Sequence, residues 1–287
     1  MSDAGFEAKM AKLHKALERQ KEILDAMDPD DVWHAEPGSL QALTSMEHWY
    51  PVVSRLVPVP LTVKVPVPDR CNLLHLLDGE KPKRWEELMG QLMGAVRMLR
   101  TALPSMPAVF LRTSYTSGKH GWEHTCYVDT AEPEGVADHL RAIVEFSALI
   151  DQPVDCLWVR EFIETVPVFH AFGAMPVTRE YRFRVQDGHA VHVQPYWPEG
   201  ALEGEAELGL LPDGWRAMLR ESWRIGRGEL NELKAMTEKV GRALGGDWSV
   251  DWLQTAGGQW LCTDLARGEL SYWWDAKEED FVVEDGQ

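Results

Sequence analysis

WSVDWLQTAGGQWLCTDLARGE, residues 248–269, reads as two strands of tryptophans and aliphatic residues around a Gly257-Gly258 turn, with one aspartate embedded in each strand. A two-residue Gly-Gly turn suits a tight hairpin, because both turn residues take positive φ without steric penalty. With that turn Ala256 faces Gln259, and counting back along both strands sets Asp251 opposite Asp264, side chains on one face. Like charges opposite each other in a sheet repel. The pair therefore predicts a compensating cation, and its oxygen donors suit Mg2+, which usually takes one or two carboxylates plus substrate phosphates. The alternative is that the two acids face solvent or pair with lysines.

The rest of the chain bounds the chemistry. At 287 residues and 45% hydrophobic content it is long enough for one large domain or two ordinary ones with a sizeable core. Lys plus Arg 29 against Asp plus Glu 46 gives a formal charge of −17, which disfavours broad adhesion to nucleic acid or anionic membrane. The N-terminus lacks an apolar signal core, and no apolar run approaches the roughly 20 residues that span a bilayer. A cytoplasmic protein is expected. Cys71, Cys126, Cys156 and Cys262 are scattered without metal-ligand spacing and read as buried thiols.

Outward from the hairpin, apolar spacing predicts amphipathic helices over 5–27, 83–103 (Trp85, Leu88, Leu92, Val96 and Leu99 on one face), 134–150 and 213–244. The Pro/Val-rich run Tyr50 to Pro68 predicts extended or edge segments. MPAVFLRT, WEHTCYVD and DCLWVREFI read as strands, and REYRFRV-QDG-HAVHVQPYW as a long hairpin turning at Asp187-Gly188. A two-residue turn there puts Glu180, Arg182 and Arg184 on the face of Val191 and Val193, with Tyr181 and Phe183 beside His192 and Gln194. Both faces then mix polar and apolar groups, so one or more of Arg179, Arg182 and Arg184 points into a charged cleft or a salt-bridge ladder. His192 reads as a hydrogen-bonded histidine rather than a base.

Between the first two strands, TSYTSGKHG (residues 113–121) offers backbone N–H groups, hydroxyls and Lys119, a composition that can cover the phosphates of a nucleotide or simply form a polar loop. A strand, a Ser/Gly/Lys loop, a second strand, a helix, a buried strand, an Arg-rich hairpin and an acidic hairpin succeed one another along the chain. That order, over residues 106–275, resembles the ATP-grasp superfamily, most closely its phage and bacterial clade linked to RNA-repair operons and the eukaryotic branch that assembles a translation initiation factor.

The resemblance implies an α+β fold of two lobes, here 106–158 and 159–280, after an N-terminal helical and extended region (1–105) and before an acidic tail (281–287). It implies Mg-ATP bound between the lobes, with Ser117, Gly118 and Lys119 in the covering loop. Arg112 would take the place of a phosphate-contacting residue that is generally lysine in the family, with Lys64 as another candidate cation. Glu161 and Phe162 would lie at the adenine linker, with Glu161 or Glu164 on the ribose; an ordinary core strand is the competing reading of that segment. Arg182, Arg179 and Lys119 would neutralise the transferred phosphoryl group. Asp251 and Asp264 would hold metal, and because the family's usual third oxygen donor is here Ala266, either Glu269 or Ser271 would substitute or the metals would rely more on water. The implied activity is a carboxylate–amine ligase that forms an acyl-phosphate from a small carboxylate and captures it with an amine. A nucleotide-dependent assembly protein with a protein partner, and a nucleic-acid repair ligase, stand as alternatives.

Overall fold

The computed structural model describes residue 28, residues 30–274 and residues 283–284. The helix expected over 5–27 and most of the acidic tail lie outside these. In chain order the elements are α1 (Leu40–Thr44), α2 (Met46–Val53), β1 (Thr62–Pro66), α3 (Trp85–Ala102), β2 (Val109–Thr113), β3 (Tyr127–Val128), α4 (Pro133–Leu149), β4 (Cys156–Glu161), β5 (Phe169–Ala171) and β6 (Met175–Val177). They continue as β7 (Glu180–Gln186), β8 (His189–Pro195), α5 (Glu203–Glu207), α6 (Trp215–Ser222), β9 (Ile225–Gly226), α7 (Arg227–Leu244), β10 (Asp247–Gln254), β11 (Trp260–Arg267) and β12 (Val283–Glu284). The class is α+β. No helix among the described residues is long and apolar enough to cross a membrane.

The chain divides into two compact units. The first holds Thr62–Gly118, His124–Arg160 and the described residues before Glu36; the second holds Glu36–Leu61, Lys119–Glu123 and the described residues from Glu161 onward. Residues 62–105 lie in the first unit.

In the first unit a four-stranded sheet runs β1-β4-β2-β3. The Pro-rich β1 sits at its edge, where a residue without an N–H is tolerated. Strand β4 is buried from Cys156 to Arg160, as a central strand should be. Helix α3 buries the predicted stripe of Trp85, Leu88, Leu92, Val96 and Leu99, and α4 buries Val136, Leu140, Ile143 and Val144. Each such side chain contributes about 1.5–3 kcal/mol by leaving water.

The second unit is built on an antiparallel sheet of order β11-β10-β7-β8. One face is apolar: Tyr181, Phe183, Val185, Trp248, Val250 and Trp252 are buried, and Trp252 Nε1 donates to Thr237 Oγ1 of α7 at 2.9 Å. Helix α7 comes so close that a Cβ at Gly241 would meet Val185 Cγ2 at 2.3 Å. The opposite face is polar and carries the candidate site.

The structure corrects three expectations. The helix over 213–244 is broken at Trp223–Gly226, where Ile225 and Gly226 instead pair with Val283 and Glu284. Tyr50–Val53 end α2 instead of running extended. In the Arg hairpin a register shift between Arg184 and Val185 pairs Arg184 with His192 and Arg182 with Gln194. The extra residue on β8, Val191, is 53% exposed, and a bulge of one residue exchanges the faces that simple counting assigns. Strand β7 then alternates cleanly, polar at Glu180, Arg182, Arg184 and Gln186 and buried at Tyr181, Phe183 and Val185.

Candidate functional site

Asp251 does pair with Asp264, by two compensating departures from the simple hairpin. Gln254 pairs with Trp260, so the loop is longer than two residues, and a register shift between Asp251 and Trp252 restores the count. On the other side of β10, Asp251 pairs with Arg182, which pairs with Gln194. Asp264, Asp251, Arg182 and Gln194 therefore form one row across all four strands, on the face away from α7.

The Arg182 guanidinium meets the Asp251 carboxylate side-on: Nε to Oδ1 at 2.7 Å and Nη2 to Oδ2 at 2.8 Å. Its remaining nitrogen, Nη1, donates to the Tyr272 carbonyl at 3.3 Å, and its carbon lies 4.6 Å from the Tyr196 ring centroid. Burial alone would lower the Arg182 pKa, but the Asp251 carboxylate outweighs it and holds the arginine charged. Lys119 Nζ lies over the same Tyr196 ring at 3.9 Å and over Trp197 at 4.7 Å. Burial opposes its charge too, yet Tyr196, Glu180 and Asp251 together raise its pKa, so Lys119 stays an ammonium. Two cations thus share one aromatic ring in an attractive geometry for each. Beside them Glu180 Oε1 accepts from Trp197 Nε1 and Thr178 Oγ1, both at 2.9 Å.

A strap after β11 closes one side of this face. Gln194, 1% exposed, donates from Nε2 to the Tyr272 carbonyl at 3.4 Å and accepts at Oε1 from Trp274 N–H at 3.2 Å. Trp273 meets His192 edge-on at 5.6 Å. Arg184, also on this face, is bound to Asp247 through Nε at 3.1 Å and Nη2 at 2.6 Å.

Other expected residues lie elsewhere. Arg179 sits on the opposite side of the sheet, because its position has the parity of Tyr181. Its Nη atoms bind Glu229 at 3.0 Å each, Gln254 Oε1 at 3.0 Å and the Arg224 carbonyl at 2.6 Å. It ties the start of α7 to β7 and β10, on the face away from Lys119 and Arg182. Glu161 Oε2 accepts from Leu61 N–H at 2.9 Å, and Phe162 packs edge-on to Trp122 at 6.0 Å. In the first unit Arg112 is buried with Nε donating to the Thr113 carbonyl at 3.1 Å. The loop is internally bonded: Thr113 Oγ1 accepts from the N–H groups of Tyr115 and Thr116. Gly118, at φ 60°, gives its carbonyl to Thr125 Oγ1 at 2.7 Å. Ser117, half-buried, lies in this bonded turn.

The oxygen donors do not suit Mg2+. Asp251 spends both oxygens on Arg182. Glu269 is exposed on a turn and faces Arg267 at 3.9 Å, while the Ser271 and Ser249 hydroxyl oxygens are 2.5 Å apart. No group of three or more His, Cys, Asp or Glu among the described residues is arranged to hold a metal. Asp251, Asp264 and Glu269 do not come together as one set, and the residues do not fit a divalent ion caged by the protein. The physical reason lies in register: the cation that compensates the like-charge pair is Arg182, delivered by the neighbouring strand.

Tyr196, Trp197 and Gln194 are site residues that the sequence alone does not single out. Their signal is present in QPYW, at the end of β8 and just beyond it, but only the observed fold sets Gln194 and Tyr196 beside Arg182 and Trp197 beside Lys119.

No protein-family model and no curated protein matches the sequence. Among solved structures the chain is similar to C-terminally truncated Cdc123 from Schizosaccharomyces pombe, at 14% identity and a TM-score of 0.48, covering 78% of this chain and 83% of that one. It is also similar to the D-alanine-D-alanine ligase from Coxiella burnetii, at 9% identity and a TM-score of 0.44, covering 79% of this chain and 48% of that one. A third is D-cycloserine synthetase DcsG, at 14% identity and a TM-score of 0.40, covering 78% of this chain and 62% of that one. These likenesses are distant; the chemistry of the polar face is set by its own side chains.

Proposed function

We propose that this chain is an ATP-grasp-like, ATP-dependent carboxylate–amine ligase whose phosphoryl chemistry is handled on the polar face of the second unit. The observation that carries the reading is the convergence of Lys119 and Arg182 on Tyr196, both held charged, at the row Asp264–Asp251–Arg182–Gln194. Phosphoryl transfer asks little covalent work of a protein; it asks for positioning and for fixed positive charge where negative charge develops. In the proposed reaction a substrate carboxylate oxygen attacks the γ-phosphorus of ATP and the bond to the β-bridging oxygen breaks. ADP leaves, and the acyl-phosphate is then attacked by an amine that expels inorganic phosphate. Lys119 and Arg182 would offset charge on the transferring group. Asp251 would hold the guanidinium in one plane, and Gln194, through Tyr272, would fix its third nitrogen. Mg2+ is the ordinary companion of ATP in this chemistry, but no step is assigned to an ion held by these residues.

A second reading, a nucleotide-dependent assembly protein with a protein partner and little turnover, is favoured by the bidentate closure of Arg182 on Asp251, which leaves that cation already satisfied. ADP release measured with a panel of amino acids and small carboxylates separates the two. A ligase releases ADP only when a carboxylate and an amine are both present; ATP binding without ADP release from any pair contradicts the ligase reading.

A further inference from the structure

We infer that this face receives a phosphate-bearing ligand through Lys119, beside the closed Arg182–Asp251 pair and without a divalent ion held by the protein. The inference rests on the nucleotide-binding part of the function proposed above and deepens it. The Arg182–Asp251 pair carries most of it. An ion placed on Asp251 would have to displace a guanidinium bound at 2.7 and 2.8 Å, further held by the Tyr272 carbonyl at 3.3 Å and by the Tyr196 ring. Asp251 is 5% exposed, so a separated pair would leave charges in a poorly hydrated place. If the pair stays intact, the ion would sit against a positive group instead.

The other donors do not make up the loss. Position 266 is an alanine, Glu269 faces Arg267, and Ser271 is engaged with Ser249. With Asp251 engaged by Arg182, Asp264 is the one carboxylate of the pair left to a Mg2+ ion, which would then be held mainly by water and the ligand's own phosphates rather than by the protein. An anionic phosphate finds its partner in Lys119, whose charge the Glu180 and Asp251 carboxylates help to hold. Lys119 presents an ammonium over the Tyr196 and Trp197 rings with a hydrogen bond to Tyr196, and an ammonium has three N–H donors, so it keeps others for an incoming oxygen.

The test is calorimetric titration of the full chain with a non-hydrolysable ATP analogue, once with excess Mg2+ and once with EDTA. Affinities within about tenfold of each other are expected, about 1.4 kcal/mol at most. Binding more than about tenfold weaker in EDTA overturns the inference and leaves the nucleotide reading standing. No binding in either buffer overturns both. A second arm uses Lys119→Gln in EDTA, where a loss of at least about tenfold is expected; unchanged affinity overturns the assignment of Lys119, and the melting temperature of the variant reports that it is folded.

Discussion

Arg182 has three acceptors and one ring around it, and each partner restricts a different freedom of the side chain. Asp251 fixes the plane, Tyr272 fixes the third nitrogen and Tyr196 covers the face. Removing the arginine strands a buried carboxylate, and breaking one partner of a buried pair costs about 3–5 kcal/mol. Arg182→Met should therefore lower the unfolding free energy by about that amount in urea titrations, and adding Asp251→Asn should recover most of the loss. If the double variant is as unstable as the single one, the pair is not the source of the cost. Counting from a two-residue turn reaches the Asp251–Asp264 pairing because the longer loop and the register shift before Trp252 cancel. The role of Asp251 as a counter-ion was not legible, since it depends on β7 lying beside β10, a long-range pairing that no local periodicity encodes.

At the scale of elements, the second sheet is a plate with one dry face against α7 and one charged face. The dry face sets a close tolerance at Gly241, where a methyl group would overlap Val185. Gly241→Ala gains intrinsic helix propensity, but overpacking of this kind costs about 1–3 kcal/mol and should win. A melting temperature equal to or above that of the parent would contradict the close approach. Helices α3 and α4 were readable from spacing because their stripes are long and periodic. The break after α6 was not, because the apolar period continues through residues 223–226 while pairing with residues 283–284 decides the local structure. The bulge at Val191 likewise leaves no mark in composition, yet it decides which side chains Arg182 and Arg184 face.

At the scale of the molecule, charge governs both stability and partners. Arg184 holds the Asp247 carboxyl below its usual range, outweighing burial. Burial pushes the Glu229 carboxyl up, but Arg179 pulls it lower still, with a net depression. Groups with depressed folded pKa values bind fewer protons folded than unfolded. Their stabilisation is complete above the unfolded values, near about 4, and is lost as pH falls through the folded values. Burial also holds the His120 and His139 imidazoles below their ordinary value, so the melting temperature should decline gently from about pH 6.5 and more steeply below about pH 4, the lower step being smaller in Glu229→Gln, where Asp247 still contributes. A Glu229→Gln profile parallel to that of the parent would remove Glu229 from the account. The −17 charge that disfavours nucleic acid was plain in the composition.

The central claim, that Arg182 serves a transferring phosphoryl group, is tested most directly by measuring ATP-analogue affinity and acceptor-dependent ADP release on the same preparation of Arg182→Met, with its folding verified. A charge used mainly in the transition state should cost turnover about 100-fold or more while affinity changes by only a few-fold. Affinity falling as steeply as turnover, or a parent protein that releases no ADP with any carboxylate and amine, would contradict it.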